Sequence, residues 1–173
     1  MTTFQLDECL NSKKLVQGCA QEGLCQVFRF PANMKGLKDP EMLHQLLPKG
    51  NPLITTDFVL IDEHLESIPE YHPGIILIAN SESVLQTLTI KRVQAILRKF
   101  KTQFSQWHQV AWQNSIVCIT QDSIKVLHID EAGNLKEDGY FTYHSPNWDK
   151  ALKEILDQNA NRPGDRINFQ SSA

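Results

Sequence analysis

The sequence predicts an α/β protein, a three-layer α/β/α sandwich with a mostly parallel sheet, a C-terminal hairpin and an added helix. Short apolar segments of strand length alternate with amphipathic segments of helix length, which is the pattern of βαβ units. Residues 74–79, Gly-Ile-Ile-Leu-Ile-Ala, form a continuous apolar segment, as expected for a central strand buried on both faces. Two strand-like segments then flank Gln121-Asp122-Ser123, which predicts a hairpin.

The other elements follow from apolar periodicity, helix caps and chain breakers. Asn11 or Ser12 can cap the first helix, and Gly23 is placed to end it. Asp39-Pro40-Glu41 is a typical helix start, with Asp39 as the N-cap and proline at the first helical position. The predicted strands are 4–6, 25–30, 53–56, 74–79, 115–120 and 124–129, with an edge strand at 139–143; the predicted helical segments are 13–21, one opening at 39, 58–65, 88–112 and 147–158.

Two of these helices have a clear apolar face. The long helix carries apolar residues three and four positions apart, which favours packing on a sheet over a coiled-coil seam. The last helix must cover either its own domain or a second copy of the chain, and we expect the first. The faces are Ile90, Val93, Leu97, Phe100, Phe104, Trp107 and Ala111 in the long helix, and Trp148, Leu152, Ile155 and Leu156 in the last one.

Length and composition indicate one domain with a C-terminal addition. We expect a domain over residues 1–130, an extension over 131–159 packed on the domain or on a dimer partner, and a flexible tail over 160–173. A net charge of −3 argues against nucleic-acid binding through overall charge. The sequence shows neither a signal-peptide pattern nor an apolar run of membrane length, so we expect a cytoplasmic protein without membrane contact. The four cysteines, which lack metal-binding spacing, are expected to be reduced core residues: Cys9, Cys19, Cys25 and Cys118.

Carboxylates stand where the predicted strands end. Asp7 and Glu8 follow the first strand, Asp39 opens a helix, and Asp57 closes the strand 53–56. Because the carboxyl ends of parallel strands meet at one rim of a sheet, these side chains are expected to converge. Mg²⁺ and Mn²⁺ prefer such oxygen ligands, so the pattern predicts a divalent-cation site. Helix capping alone is the alternative explanation for Asp39 and Asp57.

Four segments carry a resemblance to a known family: Asp7-Glu8-Cys-Leu-Asn, Lys38-Asp39-Pro-Glu-Met-Leu, Leu53-Ile-Thr-Thr-Asp57 and His72-Pro-Gly-Ile-Ile-Leu-Ile. In order and spacing they resemble the PIN-like superfamily, in particular its small DUF5615 and Mut7-C branch, which is related to toxin-type ribonucleases. The resemblance spans about residues 3 to 129. It implies an Mg²⁺- or Mn²⁺-dependent endoribonuclease with Asp7, Asp39 and Asp57 as the metal-binding catalytic residues, RNA as substrate and a cognate protein partner of the toxin–antitoxin kind.

Further residues near this cluster are candidates for supporting roles. Glu8 is a second metal ligand candidate, Arg29 and Lys35 are candidate phosphate contacts together with Thr56, and the hydroxyl of Thr55 or Thr56 can hold a ligating carboxylate. The basic side of the long helix is interpreted first as a solvated face and second as an RNA contact.

Two other functions stay open. A catalytically degenerate PIN-like module acting in binding or assembly is favoured by Val59, since many relatives carry an aspartate at that position. With either function, a homodimer is a candidate assembly. A phosphate-binding receiver-like domain fits the acids at the strand ends but lacks a glycine-rich phosphate loop.

Overall fold

A computed structural model describes residues 2–69, 71–79 and 88–162 of the chain. These residues contain the strands β1 Thr3–Leu6, β2 Gln26–Phe28, β3 Leu53–Thr55, β4 Ile75–Ile78, β5 Ile116–Ile119, β6 Ser123–Ile129 and β7 Leu135–Thr142. The strands form one sheet in the order β2-β1-β3-β4-β5-β6-β7. The first five strands are parallel; β6 pairs antiparallel with β5 as the predicted hairpin, and β7 pairs antiparallel with β6. The predicted α/β class with a mostly parallel sheet is therefore confirmed.

The helices cover both faces of this sheet, an arrangement compatible with three layers. One core cluster joins alternate strand residues such as Phe4 and Ile76 to α1, α4 and α5, and a second joins residues such as Leu53 and Ile75 to α2 and α3. This alternation follows from the two-residue repeat of a strand. The helices are α1 Lys13–Gln21, α2 Asp39–Leu46, α3 Val59–Asp62, α4 Ile90–Gln103 and α5 Trp148–Ala160, with 3₁₀ turns at Glu8–Leu10, Ala32–Met34, Leu47–Lys49 and Leu65–Ser67.

The strand order reverses next to β1. The chain leaves β1 for β2 on one side and returns to β3 on the other side, with α1 and α2 packed on opposite faces. In open α/β sheets such a reversal leaves a crevice beyond the carboxyl ends of the two central strands, where ligands bind. Asp7 follows β1 and Asp57 follows β3, so both stand at this crevice.

The start of α1 and the end of α1 agree with their sequence signals. The Ser12 hydroxyl oxygen accepts a hydrogen bond from the Leu15 N–H at 3.5 Å, and Gly23 adopts a φ of +62° directly after the helix. Glycine tolerates this left-handed conformation without the steric cost that a Cβ adds.

Two predicted helix starts differ from the structure by one residue. Lys38 holds the N-cap position of α2, and Asp39 is its first helical residue, so the carboxylate of Asp39 is not committed to capping. Helix α5 begins at Trp148, after the N-cap Asn147 with its φ of +54°, instead of at the predicted residue 147. Asparagine is one of the few residues that adopt the left-handed conformation readily. The periodicity of apolar residues, from which the helix start was predicted, contains no information about this.

Helix α4 ends at Gln103, well before the predicted end at residue 112. The apolar spacing nevertheless stays meaningful, because Phe104 and Trp107 are buried by turns that follow the helix. These turns place the Trp107 ring on the Phe4 ring of β1, stacked at 4.7 Å between centroids. Periodicity therefore predicted burial correctly and helix length incorrectly.

An aromatic row crosses this core from the first strand to the last helix. Phe4 stacks on Trp107, which meets Phe100 at 5.8 Å, and Phe100 meets Phe104 at 5.5 Å. Phe104 in turn lies 5.9 Å from Trp148 of α5. Such tilted and edge contacts add to the free energy already gained by burying the rings.

Helix α5 docks on the sheet of its own chain. Trp148, Leu152 and Leu156 are buried in the core shared with α1 and α4. The Asn159 side-chain amide donates hydrogen bonds to the Ser115 hydroxyl and to the Asp138 carboxylate, each at 3.0 Å. These bonds tie the end of α5 to the strands of its own chain.

The predicted tail from residue 160 lies outside the described residues from residue 163 onward. Among the helices of the described ranges, none combines the length and the apolar character needed to cross a lipid bilayer.

Replacing Leu152 by alanine is expected to lower the free energy of unfolding by about 2–5 kcal/mol. Leu152 is fully buried, so its truncation leaves a cavity in the core. The matched control on the same helix is Lys150→Ala at an exposed position, for which a change within about 0.5 kcal/mol is expected. Urea denaturation followed by circular dichroism measures both values, and similar small changes in the two variants would contradict the docking of α5.

Candidate functional site

The predicted acidic residues converge on one pocket at the carboxyl ends of β1 and β3. The pocket has a volume of about 300 Å³ and combines carboxylates, one thiol and two apolar side chains. The acidic side chains come together because β1 and β3 end side by side where the strand order reverses. This is the convergence of Asp7, Asp39 and Asp57 that the sequence predicts. The lining residues are Asp7, Glu8, Cys9, Leu37, Asp39, Met42 and Asp57.

Asp7 is the most buried carboxylate of this pocket, with 5% of its surface exposed. Its Oδ1 accepts a hydrogen bond from the Glu8 N–H at 2.7 Å, and its Oδ2 accepts one from the Thr55 hydroxyl at 2.6 Å. Burial raises the pKa of Asp7, and the charges of Asp57 and Asp39 raise it further, while the two hydrogen bonds oppose this shift. A buried carboxylate between like charges is a costly arrangement unless a cation joins it.

Thr55 connects the two strand-end carboxylates. It is fully buried at the end of β3, donates to Asp7 and accepts a hydrogen bond from the Asp57 N–H at 3.0 Å. Asp57 in turn accepts the Val59 N–H at 3.0 Å, while Phe58 holds the N-cap position of the short helix α3. Of the two candidate threonines, Thr55 is therefore the one that holds a carboxylate.

Asp39 stands at the opposite wall of the pocket with 29% of its side chain exposed. Burial raises its pKa, with the charge of Asp57 as the next cause, and the nearby His64 opposes the shift. The His64 Nε2 lies 3.9 Å from an Asp39 oxygen. The sequence does not predict His64 as a site residue. It stands alone, 25 residues after Asp39, and forms no recognisable motif with it.

Glu8 faces the same pocket as Asp7, although neighbours on a strand would point to opposite faces. The chain leaves β1 at Leu6 and enters a 3₁₀ turn at Glu8, so strand alternation no longer applies. The Glu8 carboxylate accepts the N–H of Gly36 at 3.1 Å. This bond holds the segment 32–38 against the pocket.

Cys9 is exposed at the pocket, which corrects its prediction as a core residue. Its Sγ lies 3.3 Å from the Thr56 hydroxyl and 3.7 Å from Asp7 Oδ2. Desolvation of the thiol by the pocket walls and then the charge of Asp7 raise the pKa of Cys9, so the thiol stays protonated at neutral pH. A protonated thiol beside a carboxylate is a poor nucleophile. Of the two threonines predicted to hold a carboxylate, Thr56 contacts the Cys9 thiol.

The candidate phosphate contacts lie at the margin of the site. Arg29 is exposed after β2, and its Nε donates to Asn11 Oδ1 at 3.3 Å. Lys35 is exposed and directly precedes Gly36, whose N–H binds Glu8. Among the described residues, the pocket lining includes neither of them.

The basic side of α4 is largely used within the chain. Arg98 forms an ion pair with Glu22 at 2.7 Å, and Lys101 donates to the Gly23 carbonyl. Lys99 lies 5.0 Å from the centre of the Tyr143 ring. Arg98, Lys99 and Lys101 therefore have partners within the chain, and contact of this helix face with RNA stays a prediction.

The donor set of the pocket suits a hard cation, although its ligands are not preassembled. Carboxylate and hydroxyl oxygens are the groups that Mg²⁺ and Mn²⁺ prefer. Within the described ranges, no set of three or more His, Cys, Asp or Glu side chains is already positioned to hold a metal ion. Binding of a cation by Asp7, Asp39 and Asp57 therefore requires side-chain rotation, for which the partly exposed Asp39 and Asp57 have room.

Comparison with protein-family models, with curated proteins and with solved structures finds no match for this chain. The PIN-like resemblance and the functions that it implies therefore stay predictions, based on the quoted segments and their order.

Replacing Thr55 by valine is expected to lower the free energy of unfolding by about 1–3 kcal/mol, because it removes a buried donor to Asp7 and the acceptor of the Asp57 N–H. Thr56→Val is the matched control, since the Thr56 hydroxyl contacts the weakly bonding thiol of Cys9 at 3.3 Å. Chemical denaturation of both variants provides the measurement, and an equal loss would show that Thr55 has no special role.

With Asp7→Asn, the free energy of unfolding is expected to fall less steeply as the pH rises than it does in the wild-type protein. The folded-state pKa of Asp7 lies above its ordinary value of 3.8, so the folded protein binds more protons than the unfolded chain between these two values. Stability contributed by this group is therefore lost as pH rises through that window, and the loss persists at neutral pH. Melting temperatures from pH 3 upward in chelator test this, with the exposed Asp62→Asn as control; parallel profiles for Asp7→Asn and wild type would contradict it.

Proposed function

We propose that the acidic pocket binds Mg²⁺ or Mn²⁺ and that the protein is a PIN-like ribonuclease hydrolysing RNA phosphodiesters. The observation that supports this most is the buried Asp7 carboxylate, whose pKa is raised next to Asp57 and Asp39 at the crevice between β1 and β3. Perturbed carboxylates in a cleft are typical of functional sites. A cation offsets the repulsion among the three carboxylates.

Each carboxylate has a separate role in this proposal. Asp7 is the central ligand, because the Thr55 and Glu8 hydrogen bonds fix its orientation. Asp39 and Asp57 complete the ligand set from α2 and from the end of β3. A bound cation lowers the pKa of a coordinated water and offsets negative charge on the phosphate.

Substrate positioning falls to the rim of the pocket. The Glu8 carboxylate accepts a hydrogen bond from the Gly36 N–H. A phosphate is also an anionic hydrogen-bond acceptor, so this N–H is suited to binding one. Lys35 is exposed beside this N–H, and Arg29 is exposed after β2. We infer that the RNA backbone runs along this rim, with Thr56 as a further contact.

A second candidate function is a catalytically degenerate module that acts in binding or assembly. Its supporting observation is that two carboxylates already have hydrogen-bond partners, since Asp57 accepts the Val59 N–H and Glu8 accepts the Gly36 N–H. The cognate protein partner and the homodimer belong to this candidate as well as to the toxin-type ribonuclease.

Titration with Mn²⁺ or Mg²⁺ is expected to raise the melting temperature of the wild-type protein. A ligand that binds only the folded state adds about 2.7 kcal/mol at roughly 100 times its Kd. Asp7→Asn should lose most of this gain, whereas Asp62→Asn should keep it because Asp62 is exposed and outside the pocket lining. Equal gains in Asp7→Asn and wild type would refute a cation site at Asp7.

An RNA-cleavage assay separates the two candidate functions. The ribonuclease proposal expects Mn²⁺-dependent cleavage of labelled RNA that is abolished in Asp57→Asn and retained in Asp62→Asn. Cation binding without any cleavage would instead favour the degenerate module.

A further inference from the structure

A second cavity lies at the amino ends of β3 and β4, on the edge of the sheet opposite to the acidic pocket. It has a volume of about 280 Å³, and its lining includes the residues just before each of these parallel strands. Among the described residues of this lining, none is an Asp, Glu, Lys or Arg, so the cavity suits an uncharged molecule. The walls are mostly apolar: Leu43, Leu47, Pro48, Pro69 and Pro73 line it together with Tyr71.

His72 lines this cavity from the segment that leads into β4, and it is 1% exposed. Its backbone N–H donates to Asn114 Oδ1 at 3.1 Å, and its carbonyl accepts the Asn114 N–H at 2.9 Å. In the imidazole ring, Nδ1 accepts the Gly74 N–H at 3.2 Å. These three hydrogen bonds hold both the backbone and one ring nitrogen, so the ring keeps one orientation.

The contact with Gly74 decides which nitrogen of His72 carries the proton. Burial lowers the pKa of His72 to about 4, so the imidazole is neutral at pH 7. A neutral imidazole has one N–H, and because Nδ1 is an acceptor here, Nε2 is the donor. Nε2 is buried and has no hydrogen-bond partner among the described residues. A buried donor without an acceptor destabilises the fold until an acceptor reaches it.

The volume of the cavity sets the size of a matching ligand. An apolar cavity of about 150 Å³ holds benzene. A cavity of about 280 Å³ therefore accommodates two fused rings. Solvent does not reach Nε2, so an acceptor meets it only after a small shift of the lining side chains, of which His44 is exposed and able to rotate.

We propose that this cavity binds a small uncharged aromatic carbonyl compound whose oxygen accepts a hydrogen bond from His72 Nε2. The leucine and proline walls bury the rings, and the carbonyl pairs with the one donor that the fold holds in place without an acceptor. Ligand sites of this kind combine mostly apolar walls with a small number of fixed polar groups. The site is independent of the ribonuclease proposal, because the two pockets lie at opposite edges of the sheet, and its test needs neither RNA nor metal.

A matched pair of probes, 1-indanone and indane, tests the role of the carbonyl in the full-length chain. The two molecules share one fused-ring skeleton, and only 1-indanone carries a carbonyl. NMR titration follows the Gly74 amide, which bonds to the His72 ring, and the ring nitrogens themselves. We expect 1-indanone to bind about five to ten times more tightly than indane, as the net contribution of one hydrogen bond implies. The Nε2 proton should move downfield with 1-indanone alone.

Two variants test whether His72 is the donor. His72→Phe keeps an aromatic ring and removes the donor, so it should bind indane as the wild type does and lose the preference for 1-indanone. Unchanged indane binding also shows that the cavity is intact. His44→Phe is the matched control, because His44 lines the same cavity at an exposed position, and it should keep the preference.

Three results would overturn the proposal. They are equal affinity of the wild type for the two probes, binding of neither up to its solubility limit, and a preference for 1-indanone that persists in His72→Phe or disappears in His44→Phe. If His72→Phe does not fold, the response of the Nε2 proton in the wild type decides, and an unchanged Nε2 proton with 1-indanone bound refutes the contact.

Discussion

The hydrogen bond from the Thr55 hydroxyl to Asp7 joins the first strand to the third at the place where the sheet changes direction. At 2.6 Å and without solvent access, it stabilises a carboxylate that burial alone would drive toward its neutral form. The same hydroxyl accepts the N–H of Asp57, two residues further along the chain. One buried hydroxyl thus fixes the spacing of two carboxylates from different strands, and the pocket depends on it more than on any exposed contact.

The topology explains why the polar groups gather at this point. Parallel neighbours β1 and β3 end side by side, and their following segments turn away to opposite faces of the sheet. The space left between them is filled by the segment 32–38, held by Glu8, and by the start of α2 with Asp39. A wholly apolar filling would have sealed this gap, whereas the acids keep it open to water on one side.

The strands and the meeting of acids at their ends followed from the sequence, because apolar segments and strand-end polarity are local signals. The corrections came from effects with no local signal. The N-cap of α2 moved by one residue, Glu8 changed face through a 3₁₀ turn, and α4 ended where Trp107 turns back toward Phe4. The His64 contact with Asp39 depends on tertiary folding alone, so a single sequence does not reveal it.

The aromatic row has a consequence for how the chain acquires its structure during synthesis. Phe4 is made well before Trp148, which follows the seven strands of the sheet, yet both belong to one core. Until α5 emerges from the ribosome, the face that binds it stays exposed to other nascent chains. Contacts between distant segments also slow folding, because the intervening chain must first close into a loop. We therefore expect this half of the molecule to be completed late, with chaperones protecting the uncovered aromatic surface in the meantime.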